Sequence, residues 1–171
     1  MKNKNGFTLI ELIVVIAIIG VLATILVPSM LGYVRKSKIS SANSTATSLQ
    51  RAINTVLQEI DDQFEVGSEI RFMERKGTSN TDYVTTEPSI DDVISDDALW
   101  ERIEKLLDKG KSRKLRFKAV CDGGSCNYVG VCVNSVYTGT CPTGVVTVEN
   151  YKEYVDDYSA ACEDAMIKYS T

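Results

Sequence analysis

A long apolar run near the start of the chain, from Phe7 to Val27, constrains the architecture more than any other feature. A helix needs about 20 such residues to cross the hydrocarbon core of a bilayer, and this run meets that length. Glu11 carries the only charge in the run, although a carboxylate at the centre of a membrane helix costs about 2.5–3.5 kcal/mol on insertion scales. The sequence therefore predicts a membrane-spanning helix in which Glu11 serves a purpose other than anchoring.

The residues that follow the apolar run argue against a secretory signal peptide. Such a peptide is cut after its apolar segment, next to a small-x-small site. The sequence after Val27 is Pro28-Ser29-Met30-Leu31-Gly32 and contains no such site, so the run is expected to stay on the protein. A plain membrane anchor is the simpler interpretation of the run, but it gives Glu11 no role.

The stretch Lys4-Asn5-Gly6-Phe7-Thr8-Leu9-Ile10-Glu11-Leu12 resembles the processing site of type IV pilins. In that family a prepilin peptidase cuts after the glycine and methylates the new terminal amine. The resemblance extends from about Lys4 to Ser37. It implies that Gly6 is the last leader residue, that Phe7 is the N-methylated first residue and that Glu11 acts in assembly.

The resemblance and the hydropathy pattern together divide the chain into four segments. We expect a cleaved leader over 1–6, a transmembrane and filament-core helix over 7–27, its amphipathic continuation over 28–60, and a globular head over 61–171. Gly20 and Pro28 match positions at which pilin helices loosen. In the filament core, the terminal amine of one subunit would pair with Glu11 of a neighbour, because an unpaired buried carboxylate penalises a wrong register.

A helical apolar stripe follows the membrane segment. Its members recur at alternating spacings of three and four residues: Ile39, Ala42, Ala46, Leu49, Ile53, Val56 and Ile60. A helix from Phe7 to Ile60 would be about 80 Å long at about 1.5 Å per residue. The stripe fits either a coiled-coil stalk or a helix that packs on the protein's own sheet.

The rest of the chain predicts an α+β head, with the long N-terminal helix on a small antiparallel sheet and a helix at the C-terminus. Before the sheet, Ser95 or Asp96 is expected to cap a second helix. Its buried stripe is predicted to contain Leu99, Ile103, Leu106 and Leu107, and Gly110 is predicted to end it. Strands are predicted over 115–121, 128–137 and 145–148, with turns at Asp122-Gly123-Gly124-Ser125 and over 138–142. Asn150 is expected to cap the last helix, whose packed face would include Tyr151, Tyr154 and Val155.

All five cysteines lie in the last third of the chain, and they are the disulfide candidates: Cys121, Cys126, Cys132, Cys141 and Cys162. Their spacing contains no C-x-x-C, which disfavours a zinc or redox site. Disulfide bonds fit an oxidising compartment, although an odd number leaves one thiol unpaired. Five reduced and buried thiols are the alternative, and the sequence does not decide the pairing.

A basic run precedes and enters the first predicted strand of the head: Lys109, Lys111, Arg113, Lys114, Arg116 and Lys118. Alternating basic residues on a strand fit a weak contact with DNA phosphates. A solvated strand face is the more ordinary interpretation, and charge complementarity between subunits is a third. The net charge of −4 does not favour general nucleic-acid binding.

The composition gives no support for an enzyme. The chain has no histidine, which excludes His-based metal sites as well as Ser-His-Asp and Cys-His dyads. We find no catalytic, metal or cofactor motif, and we predict no cofactor. The acidic pairs Asp61-Asp62 and Asp156-Asp157 lack the spacing of an EF-hand loop.

The resemblance implies the structural subunit of a type IV pilus, and we expect a major pilin. As a precursor it would span the cytoplasmic membrane once, and when mature it would form a surface filament with other copies of itself. The implied partners are the prepilin peptidase, an assembly ATPase, a platform protein and minor pilins. Motility, adhesion, biofilm formation and DNA uptake are family-level roles. The alternatives are a pseudopilin of a type II secretion or competence system and, in another class, a membrane-anchored extracellular binding module or enzyme.

Overall fold

The computed structural model describes residues 7–77, 84–112 and 114–170, without the side chains of Lys109 and Lys111. The chain forms two compact units, Met1–Lys36 and Ser37–Thr171. The described residues form these elements in chain order: α1 (Leu9–Phe64), β1 (Phe72–Arg75), β2 (Thr85–Glu87), α2 (Asp96–Lys105), α3 (Lys109–Ser112), β3 (Leu115–Asp122), β4 (Ser125–Val133), β5 (Tyr137–Cys141) and α4 (Tyr158–Tyr169). A short 3₁₀ turn at Gly67–Glu69 follows α1.

The first unit contains the apolar half of α1, and every described residue in it is exposed. Helix α1 continues through Pro28 without a break. A side-chain methyl group at Gly20 would meet nothing within 4 Å, so packing within this chain does not explain the glycine. Loosening of the helix at Gly20 and Pro28 stays a prediction.

In the second unit, the remainder of α1 packs on the protein's own sheet. All seven predicted members of its apolar stripe, from Ile39 to Ile60, are buried. Polar side chains fix the helix to the strands: Asn43 Oδ1 accepts from the Thr140 amide at 2.9 Å, and Gln50 Nε2 donates to the Cys126 carbonyl at 3.1 Å. The interpretation of the stripe as a surface for the chain's own sheet is therefore confirmed.

In the described part of the chain, one antiparallel sheet has the strand order β2-β1-β3-β4-β5. Along β3, Leu115, Phe117, Ala119 and Cys121 are buried, as their alternation predicts. The turn to β4 uses Gly123 and Gly124, both at positive φ, which glycine adopts without strain. The α+β fold class is confirmed.

Helix α4 covers the sheet face opposite α1. Successive side chains of a strand point to opposite faces, so Gly130 lies opposite its core neighbours Val129 and Val131. A side-chain carbon on Gly130 would overlap the Tyr158 carbonyl oxygen at the start of α4. Gly130 therefore permits the close approach of α4.

The C-terminal part of the sheet differs from the prediction. The strand expected over 128–137 is two strands, because Asn134 and Ser135 take a positive φ of 59° and form a turn between β4 and β5. The turn expected over 138–142 lies largely in β5, and no strand forms over 145–148. The apolar run of Val145 to Val148 is too short to distinguish a strand from a turn. Its backbone bonds to the side chain of Asn150 in a turn instead of to a neighbouring strand.

Two helix boundaries were also predicted wrongly, the start of the last helix and the end of α2. Asn150 closes a turn, in which its Oδ1 accepts from the Thr147 amide at 2.7 Å, and Asp157 caps α4 instead. Residues 151–156 are turns, so Tyr151, Tyr154 and Val155 do not belong to the last helix. Helix α2 ends at Lys105, while Gly110 lies inside α3, and Leu106 is 50% exposed instead of buried.

The start of α2 makes stability depend on pH. Burial, followed by the hydrogen bond and charge of Asp91, raises the pKa of Asp96 from 3.8 to about 6. Between those values the folded state holds a proton that the unfolded state has released, so the free energy of unfolding decreases as the pH rises through this window. We expect Asp96→Asn to flatten this slope and to stabilise the protein at neutral pH, as measured by urea unfolding at several pH values. The control Asp97→Asn should retain the slope, and a slope unchanged in Asp96→Asn would contradict the assignment.

Candidate functional site

The start of α1 is closed by a reciprocal pair of residues, Thr8 and Glu11. Glu11 Oε2 accepts from the Thr8 amide at 2.8 Å and from the Thr8 hydroxyl at 2.6 Å. The Glu11 amide donates to Thr8 Oγ1 at 3.3 Å. This arrangement is a capping box, which satisfies two of the amides that a helix start leaves without partners.

Glu11 also has a role that does not depend on assembly. The prediction that a plain anchor gives the carboxylate no role was incomplete, because the capping box is a local role that needs no partner chain. The signal was readable, because Thr8-x-x-Glu11 before an apolar run is the capping-box pattern. The presence of Glu11 alone therefore does not distinguish an anchor from an assembly segment.

The carboxylate keeps one oxygen for a further donor. Both of its bonds to Thr8 use Oε2, and among the described residues no hydrogen bond to Oε1 is present. An ionised carboxylate accepts through both oxygens, with about four lone-pair sites in all. Glu11 can therefore cap its own helix and still receive a cationic group from outside the chain.

The surface around this carboxylate is apolar and uncovered. Phe7 is 89% exposed, Leu9 is 76% exposed and Ile10 is 70% exposed. Exposed apolar surface of this extent indicates a membrane or a protein interface. Among the described residues, α1 alone is long and apolar enough to cross a membrane.

Comparison with known proteins places the same segment in a known context. Residues 1–27 match the family model described as the prokaryotic N-terminal methylation motif. The chain is 39% identical over 75 residues to the type IV major pilin protein PilA of Myxococcus xanthus. This match covers 44% of this chain and 34% of that protein. It is 45% identical over 58 residues to the type IV major fimbrial protein FimA of Dichelobacter nodosus, covering 33% of this chain and 37% of that protein.

The resemblance to type IV pilins is confirmed. The chain spans about a third of the length of these pilin relatives. No solved structure matches the chain. The match to the methylation motif lies in residues 1–27, and the head is described from its own structure.

Of the residues predicted from the pilin motif, the structure describes Phe7 and Glu11 but not Gly6. Phe7 and Glu11 are described, with Phe7 directly before the capping residue Thr8. Gly6, after which cleavage is predicted, lies outside the described residues. The processing roles of Gly6 and Phe7 and the assembly role of Glu11 stay predictions.

Two described members of the basic run, Arg116 and Lys118, are engaged in ion pairs within the head. Arg116 pairs with Asp156, and Lys118 Nζ lies 2.7 Å from Glu163 Oε1 on α4. The hydrogen bond to Glu163 raises the pKa of Lys118, and the same bond lowers the pKa of Glu163. The two basic side chains thus attach the C-terminal region to the sheet and do not form a solvated strand face. Weak contact of the basic run with DNA stays a prediction.

Of the other members of the basic run, the structure describes the side chain of Lys114 alone. Lys114 is exposed and lies beside Lys38 at a cavity of about 210 Å³. Arg113 and the side chains of Lys109 and Lys111 lie outside the described residues. Across the described residues, no three His, Cys, Asp or Glu side chains come close enough together to hold a metal ion.

The five cysteines are buried and carry free thiols in this structure. Cys121 and Cys126 face each other in the β3–β4 register. The others are separate: Cys141 lies beside Gln50, Cys132 beside Arg116 and Asp156, and Cys162 beneath Gly130 on α4. Cys121 and Cys126 are thus the adjacent pair among the cysteines whose pairing the sequence left open.

Proposed function

We propose that this chain is the structural subunit of a type IV pilus, cut after Gly6 and methylated at Phe7. The observation that carries the proposal is the exposed apolar half of α1, which begins at a methylation motif and holds Glu11 at its capped start. The proposed segments are the leader 1–6, the transmembrane and filament-core helix 7–27, its amphipathic continuation 28–60 and the head 61–171.

The apolar surface needs a cover at each stage of this life cycle. In the precursor, lipid covers the helix and removes its apolar surface from water. In the filament, the corresponding helices of other copies would replace the lipid. A head-to-tail contact that does not close into a ring produces such a helical polymer.

Cleavage supplies the cationic group that Glu11 can receive. Cutting before Phe7 converts an amide nitrogen into a terminal amine. The amine of a neighbouring copy would bond to Glu11 Oε1, while Oε2 keeps its bonds to Thr8. A copy placed in the wrong register would leave a buried carboxylate without a cation, and leaving a buried charge without its partner costs about 3–5 kcal/mol.

The proposed partners follow from this role: other copies of the chain, the prepilin peptidase, the assembly ATPase, the platform protein and minor pilins. The relatives are named as major pilin and major fimbrial proteins, which supports a major subunit. The proposed location is the cytoplasmic membrane for the precursor and the cell surface for the filament, with motility, adhesion or biofilm formation as the roles.

Mass spectrometry of the mature N-terminus tests the proposal. We expect the mature chain to begin at Phe7 and to be heavier by one methyl group than the unmodified sequence from Phe7. An antibody against the head should also label surface fibres in electron micrographs.

The variant Gly6→Leu is the matched control, since it changes the residue before the cut and leaves the mature sequence intact. It should keep the leader and form no fibres. An intact leader on the wild-type protein, or labelling confined to the cell envelope, would overturn the proposal of a surface pilus.

A further inference from the structure

The β3–β4 hairpin brings two cysteines face to face at its closed end. Cys121 and Cys126 are register partners, one position before the turn pair Asp122 and Ser125. Their side chains are 3% and 2% exposed, and both belong to the core between the sheet and α1. We propose that Cys121 and Cys126 form a disulfide bond across this hairpin in an oxidising environment.

The backbone hydrogen bonds show which kind of register pair this is. The Cys121 amide donates to the Arg71 carbonyl at 2.6 Å, on the side away from β4. The Cys126 amide donates to Asn54 Oδ1 at 2.5 Å, and the Cys126 carbonyl accepts from Gln50. The two residues therefore do not exchange backbone bonds and form a non-hydrogen-bonded pair.

Non-hydrogen-bonded pairs of an antiparallel ladder have the closer side chains. Their Cα atoms are about 4.5 Å apart, whereas hydrogen-bonded partners are about 5.5 Å apart. Disulfide bonds span Cα separations of about 4.4–6.8 Å, a range that includes the usual separation of non-hydrogen-bonded pairs. Both cysteines also belong to the same core cluster, so their side chains lie on the same face of the sheet.

The sequence alone offers a competing pair of nearly equal spacing, Cys126 and Cys132. The structure separates these two. Cys126 lies in the core on the α1 side, whereas Cys132 lies beside Arg116 and Asp156 on the α4 side. The β3–β4 register shifts between Val120, which pairs with Tyr128, and Cys121. This shift makes Cys126 the register partner of Cys121.

The chemistry is thiol–disulfide exchange with an external disulfide, such as oxidised glutathione or an oxidised dithiol protein. One cysteine thiolate attacks the external disulfide and releases one thiolate from it. The second cysteine thiolate then displaces the other half, which closes the Cys121–Cys126 bond. The external disulfide takes up the electron pair, and the two protons from the protein thiols end on the two released thiols.

The timing of this step follows from the folded environment. The adjacent Cys121 thiol, with burial as the second cause, raises the pKa of Cys126. Because the thiolate is the attacking form, exchange in the packed hairpin is slow. The bond is therefore expected to close while the hairpin is still partly open. Its presence in the cell rests on the proposed function, which puts the head outside the cytoplasm.

Peptide mapping of the full chain in detergent tests the proposal. The reduced protein is partly unfolded in urea, returned to native buffer with a glutathione redox couple, alkylated and cut before aspartate. Since Asp122 lies between the two cysteines, a Cys121–Cys126 bond joins two peptides that reduction separates. Fragmentation should place the bond at Cys126, with alkylated Cys132, Cys141 and Cys162.

A second measurement compares the two redox forms of the wild-type protein. In the full chain, the head should melt about 5 °C or more higher when oxidised than when reduced, because even a short loop closed by a disulfide constrains the unfolded chain. The double variant C121A/C126A should show no difference between the oxidised and reduced forms.

Five alkylated thiols, or a bond between Cys126 and Cys132, would overturn the pairing. This outcome is distinct from failure of the pilus proposal, since the mapping uses purified protein and needs neither cleavage nor a filament. Conversely, an intact leader in cells would leave the mapped hairpin bond unaffected.

Discussion

Glu11→Gln is expected to leave the start of α1 intact and to slow filament assembly about tenfold or more. A glutamine at this position can accept the Thr8 amide bond, because the capping box is made by glutamate or glutamine. It has no charge, and hydrogen bonds to charged groups contribute about 1.5–3 kcal/mol against about 1 kcal/mol for neutral pairs. The variant therefore separates the charge of Glu11 from its capping role.

Three further variants complete the test of Glu11. Thr8→Ala removes the hydroxyl of the cap and keeps the charge, so it should assemble nearly normally despite a helix start weakened by about 1 kcal/mol. Glu11→Asp keeps the charge on a shorter side chain, and Glu11→Ala removes both functions.

The assembly rate is measured as filament mass per cell over time, at equal amounts of precursor in the membrane. Normal assembly by both Glu11→Gln and Glu11→Ala would show that the carboxylate–amine pair is not needed. If Thr8→Ala were as defective as Glu11→Ala, the role of Glu11 would be local to its own helix.

Gly139→Ala is expected to destabilise the head by about 3 kcal/mol, the upper part of the usual range for an overpacked core. A side-chain carbon on Gly139 would overlap the backbone carbonyl of Ala42 in α1. Both partners are backbone in regular elements, so neither can turn away as a flexible side chain would. The helix would have to move away from β5, which would also break the hydrogen bond from the Thr140 amide to Asn43 Oδ1.

Urea unfolding followed by Trp100 fluorescence measures this effect, since Trp100 lies in the core beside Phe117 and under Arg75. The matched control is Gly110→Ala. A methyl group on Gly110 would be 3.6 Å from Asp108 Oδ1, an ordinary contact, so the control should be neutral or slightly stabilising. An equal and small effect of both variants would contradict the close contact of β5 with α1.

Long periodic segments of this chain were predictable from sequence, whereas short ones were not. The stripe from Ile39 to Ile60 and the alternation of β3 each repeat often enough to fix both the element and its buried face. The run of Val145 to Val148 is too short for its period to decide between a strand and a turn. Asn150 illustrates the same limit, because an asparagine oxygen that accepts a backbone amide serves a helix cap and a turn equally well.

The candidate site was predictable only as far as its motif. The order of residues from Gly6 to Glu11 carried the resemblance, and the capping box could have been found in the same residues. The proposed cysteine pairing could not be found from sequence, because it depends on a register irregularity after Val120 that leaves no mark in the local sequence. The engagement of Arg116 and Lys118 likewise requires knowing that α4 returns to their face of the sheet.

The outer strands of the sheet have a consequence for how such molecules adhere to one another. In the described part of the chain, one edge is the three-residue β2, followed directly by Pro88, and the other is the five-residue β5. Short edges and proline discourage strand-to-strand joining between molecules. Crowded copies of the head are thus directed away from amyloid-like stacking, and fibres of this protein are expected not to stain with amyloid dyes.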